Sequence, residues 1–519
     1  MEQKITSSLA AAALSHDTIA AVSTPPGSGG IAVIRLSGSE AFPILKKIWK
    51  GKDPTGFESH TSHFGKITNE KGEILDEAVA TVFRAPNSFT GEDTIEISCH
   101  GSRWIQRELV NLLIRNGARA AGPGEFSQRA FVNGRFDLAQ AEGIADLIAS
   151  SSRAAHRLAM MQTDGRFSRR LDSLREQLVE LASLLELELD FSEEDVEFAD
   201  RTRLASLTET LIAETRRLSA TYAAGKAFKE GIPVVIAGEP NAGKSTLLNL
   251  LLDDDKAIVS EIPGTTRDII EDTREIDGTL FRFIDTAGLR QTDDTIERLG
   301  IDRAAERLRR AAIVLWTVDS SLPLPPQLEA IAAHRADLPS ATHILLLNKT
   351  DLSLARSGIT GKTGEAGNGD PCKVGVEHPG KIGVEDSDKV GSGEPCKVGL
   401  EDSDKVGSGE IGDQFTATVK ISAQTGEGFE ELIRVITEAA RAMQPADTDI
   451  IITNARHYAS LISGTESLER ARAALSDGLS ADLIAQDVRE SIHHLAAITG
   501  AITTSTLLHS IFSKFCIGK

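Results

Sequence analysis

The chain has 519 residues, 40% of them hydrophobic and 4% aromatic, which is enough for more than one domain with its own core. Its formal net charge of −20 argues against broad electrostatic binding of nucleic acid, so any RNA contact needs a local basic patch or a basic partner. No apolar run approaches the ~20 residues of a membrane helix, and residues 1–16 are too polar for a secretory signal. Four cysteines without C-x-x-C spacing argue against structural zinc and suit a reducing cytosol, so we expect a cytoplasmic protein without a membrane segment.

The first part of the chain, from Asp17 to about Asn133, has the pattern of an α/β segment. Strands are predicted at residues 18–22, 31–36 and 94–98, followed by an amphipathic helix at Arg103–Arg115. In the third strand Glu96 alternates with isoleucines and is expected on the opposite sheet face. The Pro/Gly-rich residues 23–30 are either a functional loop or a surface turn.

Two helical segments flank the centre of the sequence. Leu174, Leu178, Leu181, Leu185 and Leu189 recur at intervals of three and four between charged residues. A second apolar stripe comprises Leu483, Ile484, Val488, Ile492, Leu495 and Ile498. We predict one helical domain with a nucleotide-binding unit inserted in it, and divide the chain at residues 1–134, 135–230, 231–443 and 444–519.

The central motif is Gly238-Glu239-Pro240-Asn241-Ala242-Gly243-Lys244-Ser245, which fits the phosphate-binding pattern G-x-x-x-x-G-K-[ST]. A predicted strand at residues 232–237 precedes it and a predicted helix at residues 245–252 follows. The glycines let backbone N–H groups surround phosphate oxygens at a helix N-terminus. Lys244 is expected to reach the β- and γ-phosphates, and the Ser245 hydroxyl to bind Mg²⁺.

Three later motifs indicate that the nucleotide is GTP. Asp285-Thr286-Ala287-Gly288 ends a strand with a carboxylate for the magnesium side and a glycine for the γ-phosphate. Asn348-Lys349-Thr350-Asp351 follows an apolar strand, and Asp351 suits the paired donors of guanine, which adenine lacks. Ser422-Ala423 after the strand at residues 416–421 is expected to contact the guanine oxygen through its backbone.

The loop of residues 260–268, Ser-Glu-Ile-Pro-Gly-Thr-Thr-Arg-Asp, lies where a GTPase has its first switch, with threonine available for Mg²⁺ and γ-phosphate. Leu289 follows Gly288, where many GTPases have a glutamine that orients water. Hydrolysis therefore requires a polar group from a partner, from a second copy of the chain, or from a downstream acid such as Glu297. The alternative for Glu297 is a surface carboxylate.

Residues 354–412 form a Gly/Asp/Ser/Lys-rich insertion in which a ten-residue segment, 385–394, recurs at 401–410. It has too little apolar material to fold alone.

The chain resembles the MnmE (TrmE) family of tRNA-modification GTPases, within the TrmE-Era-EngA-like P-loop proteins, from about Asp17 to Lys519. The motifs that carry the resemblance are Thr24-Pro25-Pro26-Gly27, residues 87–93 (Asn-Ser-Phe-Thr-Gly-Glu-Asp), Pro123-Gly124-Glu125-Phe126-Ser127, residues 137–142 (Asp-Leu-Ala-Gln-Ala-Glu), Gly264-Thr265-Thr266-Arg267-Asp268 and the terminal Phe515-Cys516-Ile517-Gly518-Lys519.

This resemblance implies an α/β N-terminal folate-binding domain that dimerises, and an α-helical domain with an inserted Ras-like α/β P-loop GTPase domain. It implies a homodimer that forms a heterotetramer with the flavoprotein MnmG (GidA), which carries FAD. Together they add an aminomethyl or carboxymethylaminomethyl group to C5 of the tRNA wobble uridine. A 5-formyl or 5,10-methylene tetrahydrofolate is the implied carbon donor. The residues that match the folate pocket are Arg35, Glu96, Arg135 and Lys519.

The resemblance also assigns roles at the GTP site. Water activation falls to Glu297, potassium to Asn241, Ser260, Ile262 and Thr265, and magnesium to Ser245 and Thr266. The residues expected to bind GTP are Asn241, Ala242, Gly243, Lys244, Ser245, Thr246, Ser260, Glu261, Ile262, Pro263, Gly264, Thr265, Thr266, Asp285, Thr286, Ala287, Gly288, Asn348, Lys349, Asp351, Ser422 and Ala423. A competing hypothesis, a switch GTPase for ribosome assembly or regulation, explains the GTP motifs but not the folate-like segment or the terminal motif.

Overall fold

The computed structural model describes residues 17–190, 201–252, 272–285, 311–336, 338–352, 415–444 and 450–518. Within these ranges no helix is both long enough and apolar enough to cross a membrane.

The N-terminal part is a seven-stranded sheet in the order β3-β4-β5-β6-β2-β1-β7, antiparallel except for the parallel pair β1 and β7. Its strands are β1 (Ile19–Val22), β2 (Ile31–Ser37), β3 (Trp49–Lys50), β4 (Thr61–Thr68), β5 (Ile74–Phe83), β6 (Thr94–His100) and β7 (Arg119–Ala120), and its helices are α1 (Ala41–Ile48) and α2 (Arg103–Arg115), with a 3-10 turn at Pro54–Gly56. The two helices cover one face of the sheet, where Ile34, Ile97 and Leu109 are fully buried. Alternation along β2 and β6 therefore puts Arg35 and Glu96 on the opposite face, as predicted for Glu96.

The helical part brings together segments from both sides of the nucleotide-binding unit. Its helices are α3 (Glu125–Val132), α4 (Leu138–Ala149), α5 (Arg153–Thr163), α6 (Arg166–Asp190), α7 (Arg201–Ala220), α8 (Tyr222–Glu230), α12 (Ala455–Ser476), α13 (Ala481–Thr499) and α14 (Ser505–Phe512). One core joins α6 and α7 to α12 and α13 through residues such as Leu178, Leu211, Leu468 and Ile484. Leu483, which we predicted on this apolar face, is 49% exposed, because adjacent helix residues lie ~100° apart and Ile484 takes the buried direction.

The inserted unit has a six-stranded sheet in the order β13-β12-β11-β8-β10-β9, parallel except for the edge strand β9. Its elements are β8 (Ile232–Gly238), α9 (Lys244–Leu252), β9 (Asp272–Ile276), β10 (Thr279–Asp285), β11 (Ile313–Asp319), α10 (Leu324–Arg335), β12 (Thr342–Asn348), β13 (Ala417–Lys420) and α11 (Phe429–Ala442). The central strands are apolar on both faces, as expected for a parallel sheet covered by helices.

Buried and partly buried ion pairs connect the two sides of the insertion. Glu142 of α4 accepts hydrogen bonds from Arg456 at 2.7 Å and from His457 at 2.6 Å, both at the start of α12. Lys229 at the end of α8 pairs with Asp146 of α4 at 2.7 Å. The chain thus enters and leaves the inserted unit next to α4.

Candidate functional site

The phosphate-binding motif lies at the centre of the inserted sheet, at the carboxyl end of β8 and between β10 and β11. Chain order reverses around β8, which is the position where open α/β sheets bind ligands. Gly243 adopts φ 94°, and a Cβ there would lie 2.3 Å from the Asn348 side-chain nitrogen. Glycine is therefore required at this position for two reasons: the positive φ and the close approach of the Asn348 side chain.

The groups expected to bind phosphate and Mg²⁺ are gathered at the start of α9. The buried Lys244 ammonium donates to the carbonyl oxygens of Gly238 at 3.0 Å and Glu239 at 2.7 Å. The Ser245 hydroxyl lies 3.2 Å from Asp285 Oδ2 at the end of β10. A hydroxyl beside a carboxylate at a helix N-terminus is an oxygen donor set that suits Mg²⁺. Asn241, with φ 64°, and Thr246 are exposed at the same edge.

The residues expected to recognise guanine are joined by the side chain of Asn348. Its amide nitrogen donates to Ala242 O at 2.7 Å, and its amide oxygen accepts from Ala423 N at 2.9 Å. The Ser422 hydroxyl donates to Asp351 Oδ1 at 2.7 Å. These contacts hold the phosphate loop and the two base-side loops in one arrangement.

Lys349 is oriented by an acid that the sequence analysis did not single out. Its ammonium lies 2.7 Å from Asp319 Oδ2 at the end of β11. Burial alone would raise the pKa of Asp319, but hydrogen bonds from Lys349 and Ser321 outweigh it and hold that pKa below its usual value. The available signal was the position of Asp319, an acid at the end of an apolar strand.

Several expected site residues lie outside the described ranges. These are Ser260, Glu261, Ile262, Pro263, Gly264, Thr265, Thr266, Thr286, Ala287, Gly288, Glu297 and Lys519, together with most of the insertion.

A second group of expected residues meets on the N-terminal sheet. Arg35 donates from Nε and Nη2 to Glu96 Oε1 at 3.1 and 2.8 Å. Its guanidinium carbon lies 4.9 Å from the Phe89 ring centroid and 5.6 Å from that of Phe126. Arg135 adjoins the same loop, since a Cβ on Gly91 would lie 3.4 Å from Arg135 Cγ.

The C-terminal tail, which is distant in sequence, also contacts this group of residues. The carbonyl oxygen of Gly518 accepts from Ser23 Oγ at 3.0 Å and from Arg35 Nη1 at 3.5 Å. The backbone of Ile517 also forms a β-bridge with Pro123. The last described residue of the tail, Gly518, therefore lies beside Arg35. Ser23 and Gly518 were not predicted, although Ser23 opens the Pro/Gly loop and Gly518 precedes the expected Lys519.

Comparison with known proteins decides the family. Residues 138–516 match the family model described as the MnmE helical domain, and residues 18–135 match that of the GTP-binding protein TrmE N-terminus. A tRNA modification GTPase MnmE of Cytophaga hutchinsonii is 44% identical over 97% of this chain and 98% of its own length. The chain belongs to the MnmE family. A second such relative, from Parabacteroides distasonis, is 44% identical over 97% of this chain and all of its own length.

The MnmE match confirms the expected fold class. An α/β N-terminal domain precedes a helical part, and an α/β P-loop GTPase unit lies between the helical segments. The family match spans both the N-terminal group around Arg35 and the nucleotide-binding sheet.

Proposed function

We propose that the protein is a GTP-hydrolysing enzyme of tRNA modification. With a flavoprotein partner of the MnmG (GidA) type, it adds an aminomethyl or carboxymethylaminomethyl group to C5 of the wobble uridine of certain tRNAs. The observation that carries this proposal is the joining of Ala242, Asn348 and Ala423 into one nucleotide-binding edge, in a chain whose relatives are named tRNA modification GTPases.

GTP is proposed to bind along the carboxyl edge of the inserted sheet. Lys244 supplies a buried cation for the β- and γ-phosphates. Asp351 keeps Oδ2 for guanine while Ser422 holds Oδ1, which fixes the carboxylate plane. Mg²⁺ held by Ser245 and Thr266 supplies positive charge that offsets the phosphate charge. Glu297 orients and deprotonates the attacking water.

Potassium is proposed at Asn241, with Ser260, Ile262 and Thr265, to supply the charge that other GTPases take from an arginine finger. The positive φ of Asn241 turns this residue out at the exposed edge of the phosphate loop. We expect hydrolysis to be several-fold faster in K⁺ than in Na⁺, and equal rates would exclude this role.

A tetrahydrofolate derivative is proposed to bind beside Arg35. Arg35 Nε and Nη2 both donate to Glu96 Oε1, so Oε2 remains for the pterin nitrogens. Arg135 and Lys519 provide cations for the folate carboxylates.

Gly518 has φ 95°, and a Cβ there would lie 2.2 Å from Val22 O. Gly518→Ala is thus expected to displace the tail and weaken folate binding about tenfold or more, with unchanged GTP affinity. Ile517→Ala, at an exposed tail side chain, is the matched control; equal folate affinity in all three proteins would contradict the role of the tail.

A homodimer through the N-terminal sheet is proposed because its outer face exposes apolar side chains. Phe64 of β4, 67% exposed, is in register with the exposed Val79 of β5, on the same face as Arg35. We expect the wild type to sediment as a dimer and Phe64→Ser to sediment as a monomer. A variant that remains a dimer, or a wild type that is a monomer, would exclude this interface.

The decisive experiment is nucleoside analysis of tRNA from cells that lack this chain. We expect loss of the C5-modified wobble uridine, recovery with the wild-type chain and no recovery with Lys244→Ala. A normal nucleoside profile together with altered ribosome assembly would favour the switch GTPase instead.

A further inference from the structure

Helix α2 presents an exposed stripe of basic side chains and one exposed aromatic ring. Arg103 and Arg107 are one helical turn apart, and Arg115, about three turns after Trp104, projects in nearly the same direction as Trp104. Trp104, next to Arg107 on the helix surface, is 55% exposed. The acids near this stripe are loosely placed, with Glu108 3.7 Å from Arg107 and Glu70 3.8 Å from Arg115.

A lysine of α1 extends the stripe at the carboxyl end of α2. The Lys47 ammonium donates to Asn116 O, immediately after α2, at 3.0 Å. Lys50 and Lys66, opposite each other across β3 and β4, do not belong to this stripe, because the buried Trp49 and Ile67 beside them point toward the helices.

The charge distribution of the chain makes this surface unusual. Residues 1–134 hold 14 acidic and 14 basic side chains, so the net charge of −20 arises entirely downstream. A polyanion is therefore repelled by the rest of the chain and best tolerated by the N-terminal part.

We infer that the α2 surface, formed by Lys47, Arg103, Trp104, Arg107 and Arg115, binds tRNA. The arginines and Lys47 contact backbone phosphates, and Trp104 stacks on an unpaired base. A solvated helix face accounts for the charges but gives no reason to expose a tryptophan among them. This inference rests on the proposed function, because it names the surface that receives the tRNA.

The α2 surface is separate from the proposed folate pocket. Helix α2 covers one face of the N-terminal sheet, whereas Arg35 and Glu96 lie on the other. A tRNA is much longer than this sheet is thick, so its body can rest on α2 while the anticodon is held elsewhere.

The test is the binding of a tRNA transcript to the full-length chain at several KCl concentrations. We expect Arg103→Gln/Arg107→Gln to weaken binding about tenfold and to reduce the slope of log affinity against log salt by about 1.5 to 2. Trp104→Ala should lower affinity about fivefold or more with the slope unchanged, because stacking is not electrostatic. The matched control is Arg203→Gln/Arg472→Gln, two exposed helix arginines outside the N-terminal part. GTP hydrolysis without tRNA should be unchanged in every variant.

The outcomes separate this inference from the proposed function. If the wild type binds tRNA and the α2 variants bind it equally well, or lose no more than the control, the α2 surface is wrong and the function stands. If the variants instead lose only a protein partner, the surface is a protein interface and the inference is overturned. If the wild type binds no tRNA at low salt, the inference fails, and the proposed function is then decided by the nucleoside analysis alone.

Discussion

At the scale of single residues, Asn348 has a structural task beyond base recognition. Its side-chain amide donates to the carbonyl oxygen of Ala242 in the phosphate loop and accepts from the N–H of Ala423. All three residues are buried. A buried polar group that loses its partner costs about 1–3 kcal/mol. The geometry of the phosphate loop therefore depends on a side chain more than 100 residues away in sequence.

Gly243→Ala tests this coupling. The new methyl group would meet the Asn348 amide, and the residue would also keep a backbone conformation that alanine disfavours. We expect GTP affinity to fall by at least tenfold in equilibrium titration. Gly72→Ala shares the positive φ but meets nothing within 4 Å, and it should bind GTP normally. Equal affinity of the two variants would show that backbone strain and the Asn348 contact are unimportant.

Residue types at this site were predictable, whereas their mutual contacts were not. The motif spacing gave Lys244, Asn348 and Asp351 because phosphate and guanine restrict which groups can bind them. The pairing of Lys349 with Asp319 depends on the adjacency of β11 and β12, which follows only from the sheet order.

At the scale of elements, α4 and α12 are held together by the buried Glu142 cluster. Burial opposes the charge of Glu142, but His457 and Arg456 outweigh it and lower its pKa from 4.5 to about 2. Burial also lowers the pKa of His457, despite its contact with Glu142. The cluster therefore favours an ionised Glu142 and stabilises the fold above about pH 4.5.

Glu142→Gln should remove this contribution. The sign follows from the lowered pKa: the stabilisation is fully present above pH 4.5 and is lost as the pH falls toward 2. We expect a destabilisation on the order of 3 kcal/mol at pH 7 that shrinks in acid, measured by thermal unfolding of the helical part. Glu466→Gln, at an exposed position on α12, should match the wild type at each pH. A constant difference between Glu142→Gln and the wild type at all pH values would contradict the assignment.

Prediction of elements succeeded where periodicity was strong. Helix α2 has the predicted bounds, Arg103–Arg115, because its apolar spacing is regular. Strands β4 and β5 were not predicted, since residues such as His63 and Gly65 interrupt the apolar alternation of β4. Their pairing with each other and with β6, rather than local pattern, determines them.

At the scale of the whole molecule, Gly518, the last described residue, lies next to residues near the start of the described chain. The tail approaches Ser23 and Arg35 after passing through the helical part. This return was expected from the terminal motif and the family resemblance, but no periodicity or composition indicated it. The group around Arg35 therefore includes backbone from the C-terminal tail.

The shared core of α6, α7, α12 and α13 has a consequence for biosynthesis. Leu178 and Leu211 leave the ribosome long before Leu468 and Ile484, which cover them in the finished protein. At about 5–20 residues per second the wait is on the order of tens of seconds. During that interval the apolar faces of α6 and α7 are exposed to water. We expect nascent chains arrested after residue 444 to be bound by chaperones and to be cut by protease within α6 and α7. Release of the final helices ends this vulnerable period.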